Sequence, residues 1–317
     1  MVRFAVPFDA RREVCRPADP EGLRAQLTRM GEDGIEYAIV PAPDDALRPD
    51  GFRLVTHEPG VCVIFALESM AELRSGPAAD GLPFPPPEMV RLVAGIATPH
   101  RFYQRFIEGG ASVAGRISDL LARNGLALDR CGSVYDFGCG CGRVMRRWKD
   151  LCGTRLHGSD YNPLMIEWCR RNLPFAEFSV NDLEPGLDLP DGDFGLVYSY
   201  SVFTHLPLAT QRPWLEELVR VTAPGGHLVL TFHGEQTLDD LDDAGRSRFA
   251  AGELVVVARD EGEHGTNACA AYHPESWIRG TLAPDLDILD AWPGDSSFKQ
   301  DAFLIRKPLQ ARLVDHG

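Results

Sequence analysis

The sequence predicts an α/β fold with a doubly wound sheet, and three features predict it. Residues 134–143 read V-Y-D-F-G-C-G-C-G-R, an apolar run that ends at Asp136 and gives way to three alternating glycines. Residues 156–160 repeat the pattern of a short run closing on an acid. From there to His233, strand-like runs alternate with helical periodicity, the mark of parallel strands joined by crossover helices.

Each element follows from its residues. Residues 134–136 form a buried strand, and the turn after it is too tight for side chains. Glycine tolerates positive φ there and lets a ligand approach the backbone. Residues 143–151 read as a helix, so the turn sits at a helix N-terminus and suits a nucleotide. A dinucleotide fingerprint needs a further glycine where Arg143 stands, and the Gly-Lys-Ser/Thr of a phosphate loop is absent.

The second strand, 156–160, ends at Asp160, eighteen residues past Gly142. Its carboxylate can accept two hydrogen bonds from a ribose diol, or cap the following helix. Pro163 suits a first helical turn, Leu164, Ile166, Trp168 and Cys169 supply an apolar face, and Leu173-Pro174 ends the helix. A third strand at 178–180 leads into Asn181-Asp182-Leu183. Asp191-Gly192 signals a turn, and 194–200 is an apolar fourth strand. A helix over 208–221 carries Leu215, Leu218, Val219 and Val221 at helical spacing. Pro224-Gly225-Gly226 then turns the chain into a fifth strand ending at His233.

These four blocks, in this order over residues 131–233, resemble class I S-adenosylmethionine-dependent methyltransferases. The resemblance implies a Rossmann-like, seven-stranded, mostly parallel sheet with an antiparallel last strand. It implies S-adenosyl-L-methionine as cofactor, cradled by Asp136, Gly138, Cys139, Gly140 and Gly142. Asp160 with Tyr161 would hold the ribose. Asn181, Asp182 and Leu183 would meet the adenine, and Ser199 would end the fourth strand beside the methyl group.

Composition bounds the partners. The chain has 317 residues, 44% of them hydrophobic, and a net charge of −14. An acidic surface repels phosphate backbones and anionic lipid, so neither nucleic acid nor membrane is an expected partner. No apolar run reaches the length of a membrane span, and the apolar stretch 2–8 is too short for a signal peptide. Of eight cysteines, Cys139 and Cys141 are spaced too tightly for a zinc pair, and no second pair completes four ligands. No metal site and a cytoplasmic location are expected, with a homodimer left open.

The domain plan has four parts. Residues 1–82 form a small α/β module, with a helix at 21–30 and strands at 37–40, 53–55 and 61–67. It weakly resembles a module found beside methyltransferase domains in bacterial glycan-related proteins. Residues 83–87, P-F-P-P-P, form a stiff linker. Residues 88–130 form a helical cap broken at Pro99 and around Gly109-Gly110. Its Phe102, Tyr103 and Phe106 pack a core or, alternatively, lid the cofactor. Residues 131–308 form the methyltransferase domain, with an insertion near 235–272 that shapes the acceptor pocket. The insertion contributes a helix at 235–251 and a strand at 254–258. A helix at 274–282 and strands at 286–291 and 302–305 complete the domain.

Methyl transfer to a hydroxyl needs a proton acceptor, and histidine titrates in the right range. His205 after the fourth strand, His233 at the end of the fifth and His273 before the late helix are the candidates. His205 is open to a purely structural role, and His157 and His264 read as ordinary strand and loop residues. The expected activity is methylation of a small polar acceptor, most readily at oxygen, on a sugar or secondary metabolite. A nitrogen or carbon acceptor, or a cofactor-binding scaffold without catalysis, are the alternatives.

Overall fold

A computed structural model of the chain describes residues 3–4, 37–40, 52–58, 61–66, 80–94, 99–258, 269–295 and 298–309. The chain divides into two compact units, residues 1–109 and 110–317.

In the first unit, β1 (Arg3–Phe4), β2 (Tyr37–Val40), β3 (Phe52–Glu58) and β4 (Val61–Ala66) form an antiparallel sheet in the order β1-β2-β4-β3. The third strand is longer than the expected 53–55 and carries a bulge between Leu54 and Thr56. The helix expected at 21–30 lies outside the described residues. Helix α1 (Pro87–Ala94) starts on the last proline of the cluster, where a missing N–H costs nothing.

Helix α2 (Pro99–Arg123) runs without interruption through Gly109-Gly110, against the expectation of a break. Gly110 is there for proximity. A Cβ on it would lie 2.3 Å from the carbonyl oxygen of Arg143, so only glycine lets the helix backbone reach the turn.

Among the described residues, the second unit is built on a nine-stranded sheet. Strands β5 (Ser133–Phe137), β6 (Arg155–Asp160), β7 (Glu177–Val180), β8 (Phe194–Ser199) and β9 (Thr222–His233) are parallel, in the order β7-β6-β5-β8-β9. Strands β10 (Val255–Ala258), β11 (Cys269–Tyr272), β12 (Asp287–Trp292) and β13 (Gln300–Arg306) follow. β13 runs antiparallel to β9 and carries β12 on its outer side. These seven, β5–β9 with β12 and β13, are the expected sheet with its antiparallel last strand. The count of nine corrects the expected seven. β11 adds to the carboxyl end of β9 through the pair Tyr272–His233, and β10 pairs with β11.

Helix α3 (Pro163–Asn172) is capped by Asn162, whose side chain accepts from the N–H groups of Leu164 and Met165. Helix α4 (Leu208–Val221) buries Trp214, Leu215, Leu218 and Val221, a stripe at helical spacing against Val197, Leu228 and Leu230 of the sheet. The expected helix at 143–151 is only a 3₁₀ turn, Met145–Trp148. Within the insertion, a 3₁₀ turn at Glu235–Asp240 precedes α5 (Asp243–Ala250). Phe249 and Leu241 pack there on Val255, Ala270 and Tyr272 as a satellite core. Beyond it, the helix expected at 274–282 forms as a short α-turn, Glu275–Trp277, continued by a π-turn, Ile278–Leu282. Strand order reverses beside β5, so the crevice at the carboxyl end of the sheet opens where the glycine turn lies.

Candidate active site

The turn after β5 is held by backbone geometry. Gly138, Gly140 and Gly142 all have positive φ (77°, 55° and 75°), which L side chains rarely adopt. A Cβ on Gly138 would lie 2.2 Å from Val202 Cγ2, and one on Gly142 2.3 Å from Leu173 Cδ1. The N–H groups of Gly138 and Cys139 both donate to the Ser159 carbonyl at 2.8 Å, folding the turn across the end of β6. Cys139 is buried inside it.

Two carboxylates lie under the turn. Asp160 accepts from the Gly140 N–H at 2.8 Å through Oδ2 and from the Asn162 N–H at 2.9 Å through Oδ1. It therefore ties the turn to the start of α3, and burial raises its pKa. Each oxygen keeps a second lone pair for a ligand hydroxyl. Asp136 accepts from the Tyr198 hydroxyl at 2.8 Å, and that oxygen accepts from Trp148 Nε1. Burial, with the nearby charge of Asp160, pushes the Asp136 carboxyl up to about 7 against the Tyr198 hydrogen bond.

A second relay crosses β5, β6 and β7. The Ser159 hydroxyl donates to Asn181 Oδ1 at 2.7 Å, so the Tyr135 hydroxyl, 2.7 Å away, donates to Ser159. Asn181 Nδ2 in turn donates to the Asp182 carbonyl. Tyr161, Asp182 and Leu183 are exposed at the same strand ends. At the end of β8, Ser199 is buried and its hydroxyl has no hydrogen-bond partner.

The histidines divide. His205 closes a 3₁₀ turn after β8, and its Nδ1 lies 2.8 Å from the Cys269 carbonyl. A carbonyl only accepts, so Nδ1 carries the proton and Nε2 is the basic nitrogen of the neutral ring. The His233 ring stands edge-on 6.3 Å from that of His205 and 5.3 Å from the Tyr272 ring. His273 differs from both in its burial. It is fully buried, packed on Phe232 and Trp277, with Nε2 3.3 Å from Gln211 Oε1. Burial, with the neighbouring His233, pushes its pKa down to about 3, so it is a neutral core residue.

Sequence reasoning missed a polar knot beneath the His205 turn. Ser201 has φ 61°, a left-handed conformation uncommon outside glycine. Its N–H donates to Thr231 Oγ1 at 2.9 Å, its hydroxyl meets Thr204 at 3.0 Å, and Gln300 Nε2 donates to that hydroxyl at 2.8 Å. Thr231 donates back to Gln300 Oε1 at 2.7 Å. Three strand ends thus fix one strained residue. Gln300 gives no local signal, because its partners lie far off in sequence. Among the described residues no cluster of His, Cys, Asp or Glu is placed to hold a metal, and no helix is long and apolar enough to cross a membrane.

Fold and crevice together define an α/β domain with an acid under a glycine turn at the carboxyl end of its sheet. Residues 134–226 match the family described as "Methyltransferase domain". It is 29% identical over 176 residues to a probable chloroplast tocopherol O-methyltransferase of Oryza sativa subsp. japonica, covering 52% of this chain and 44% of that protein. It is 32% identical over 161 residues to a malonyl-[acyl-carrier protein] O-methyltransferase of Serratia marcescens, covering 49% and 60%. The chain thus spans about half the length of these curated relatives. A solved Burkholderia thailandensis 1,6-didemethyltoxoflavin-N1-methyltransferase aligns at 16% identity and TM-score 0.47, over 84% of this chain and 99% of that one.

Proposed function

We propose that the protein is an S-adenosyl-L-methionine-dependent methyltransferase of a small polar acceptor, methylating a hydroxyl oxygen of a sugar or secondary metabolite. The observation that carries this is the left-handed glycine turn bound through Gly140 to the carboxylate of Asp160. The residues present fit the cofactor. The turn has no side chains where a nucleoside would approach, and the buried Ser199 hydroxyl lacks an acceptor that a ligand can supply. Asp160 with Tyr161 would hold the ribose, and Asn181, Asp182 and Leu183 the adenine. Asp136, Gly138, Cys139 and Gly142 would shape the floor.

Bound there, the cofactor supplies an electrophilic methyl on a sulfonium. The chain's task is alignment, exclusion of water and disposal of one proton. His205 takes that proton from the acceptor hydroxyl at Nε2, since Nδ1–H is committed to Cys269. His233 lines the same side and orients the acceptor. Both relatives named above are O-methyltransferases, which favours oxygen.

The test is incubation of the purified chain with radiolabelled cofactor and fractionated extract, followed by identification of the product. A labelled hydroxyl compound is expected, and label confined to amines contradicts the oxygen assignment. With that acceptor, His205→Gln should lower kcat by about 100-fold, with activity recovering as alkaline pH ionises the hydroxyl. An unchanged kcat and pH profile removes His205 from the proton step.

A further inference from the structure

Arg116 on α2 is an uncommon kind of arginine. Its side chain is only 7% exposed, and its guanidinium carbon lies 4.0 Å from the Trp292 ring centroid and 4.6 Å from that of Phe298. Nη2 donates to Asp295 Oδ2 at 2.7 Å. Nη1 is buried with no hydrogen-bond partner. A charged donor shielded from water and left without an acceptor is costly, so the site is incomplete as it stands.

Its position connects it to the crevice. Trp292 ends β12, and Asp295 and Phe298 belong to the connection from β12 to β13. That connection lies at the carboxyl end of the parallel strands, because Gln300 pairs with His233. The Phe298 ring lies 5.7 Å from that of Tyr200, directly after β8, and the Arg143 guanidinium lies over Tyr200 at 5.3 Å. The rings of Phe298 and Tyr200 thus link Arg116 to Arg143, the residue following Gly142.

Building on the methyltransferase reading, we infer that Arg116, clamped by Trp292 and Phe298, is an oxyanion subsite, and that the acceptor carries a carboxylate or phosphate group. A chain of net charge −14 repels such a group, so a local cation must receive it. The planar fork of arginine takes an oxyanion through two N–H groups, and aromatic faces around it strengthen the pair by excluding water. Asp295, 49% exposed, holds one arm of the fork and gives way to the ligand.

The experiment is calorimetric titration of the full chain, saturated with S-adenosylhomocysteine, with succinate and separately with inorganic phosphate. One of the two should bind, which also tells carboxylate from phosphate. Arg116→Gln should weaken that binding by about tenfold or more, while affinity for S-adenosylhomocysteine stays within about twofold. Asp295→Asn removes the competing carboxylate at a half-exposed position and should tighten the oxyanion severalfold, a gain that a merely structural role cannot produce. The inference is overturned if neither anion binds the wild type. It is equally overturned if Arg116→Gln weakens S-adenosylhomocysteine as much as the anion, or if Asp295→Asn weakens the anion. Failure of the wild type to bind S-adenosylhomocysteine strikes the methyltransferase reading first, and this inference falls with it.

Discussion

The β5–β7 side of the crevice and the β8–β13 side are built from different ranges of the chain. On the first, Asp160 reaches Gly140 twenty residues back, and Ser159 reaches Asn181 twenty-two residues on. Left-handed glycines and main-chain donors do most of the holding. On the second, Ser201 depends on Gln300 ninety-nine residues away, and His205 on the Cys269 carbonyl sixty-four away. The first half is a local backbone device that leaves little freedom to its residues. The second is assembled only when the whole sheet closes.

The sharpest way to break this contrast is Gly138→Ala. The new Cβ would meet Val202 at 2.2 Å and impose a φ of 77° on a residue with a side chain. The expected loss is about 4 kcal/mol of stability, read by urea denaturation. A second change, Val202→Ala, should recover only the clash. Full tolerance of Gly138→Ala would mean that the turn is not held by its backbone.

Asp136 gives the next largest effect. In the folded chain its carboxyl sits at about 7. In the unfolded chain it returns to about 3.9. The folded form therefore keeps a proton that the unfolded form gives up. The stability linked to that proton is fully present below about pH 4 and is lost as pH rises to about 7. Between pH 5 and 8 the wild type should lose about 3 kcal/mol relative to Asp136→Asn, whose amide oxygen can still accept from Tyr198. Parallel stability curves for the two proteins would contradict this.

On the other side, Gln300→Leu should cost about 1–2 kcal/mol by leaving Thr231 and Ser201 short of partners. It should lower kcat more than it changes cofactor affinity, because the knot supports the His205 turn. Equal losses in both would erase the distinction between the two halves.

The same contrast explains what could be read before the fold was known. D-x-G-x-G-x-G and an acid at the right distance are close in sequence, and strict backbone demands leave few residue types able to meet them. The mostly parallel sheet, the helix over 208–221 and the antiparallel β13 followed from periodicity and the family resemblance. The expected helix at 143–151 did not form beyond a 3₁₀ turn, since Trp148 is drawn in to bond Tyr198. The expected break at Gly109-Gly110 misread a glycine that serves close packing. β10 was expected as a strand at 254–258, but the added strand β11, the strained Ser201 and the clamp on Arg116 had no local signature. Each rests on partners dozens of residues distant, where one sequence carries no pairing information. His273 stood beside His205 and His233 as a candidate in the sequence, and its full burial sets it apart.

The most direct measurement is calorimetric binding of S-adenosylhomocysteine to the wild type and to Asp160→Ala. One molecule per chain should bind the wild type, and the substitution should weaken it by about 1–3 kcal/mol, since a buried carboxylate that fixes the turn, and that the proposed function assigns to the ribose, is lost. No binding to the wild type, or equal affinity in both proteins, would contradict a nucleoside seated on residues 136–142 and Asp160.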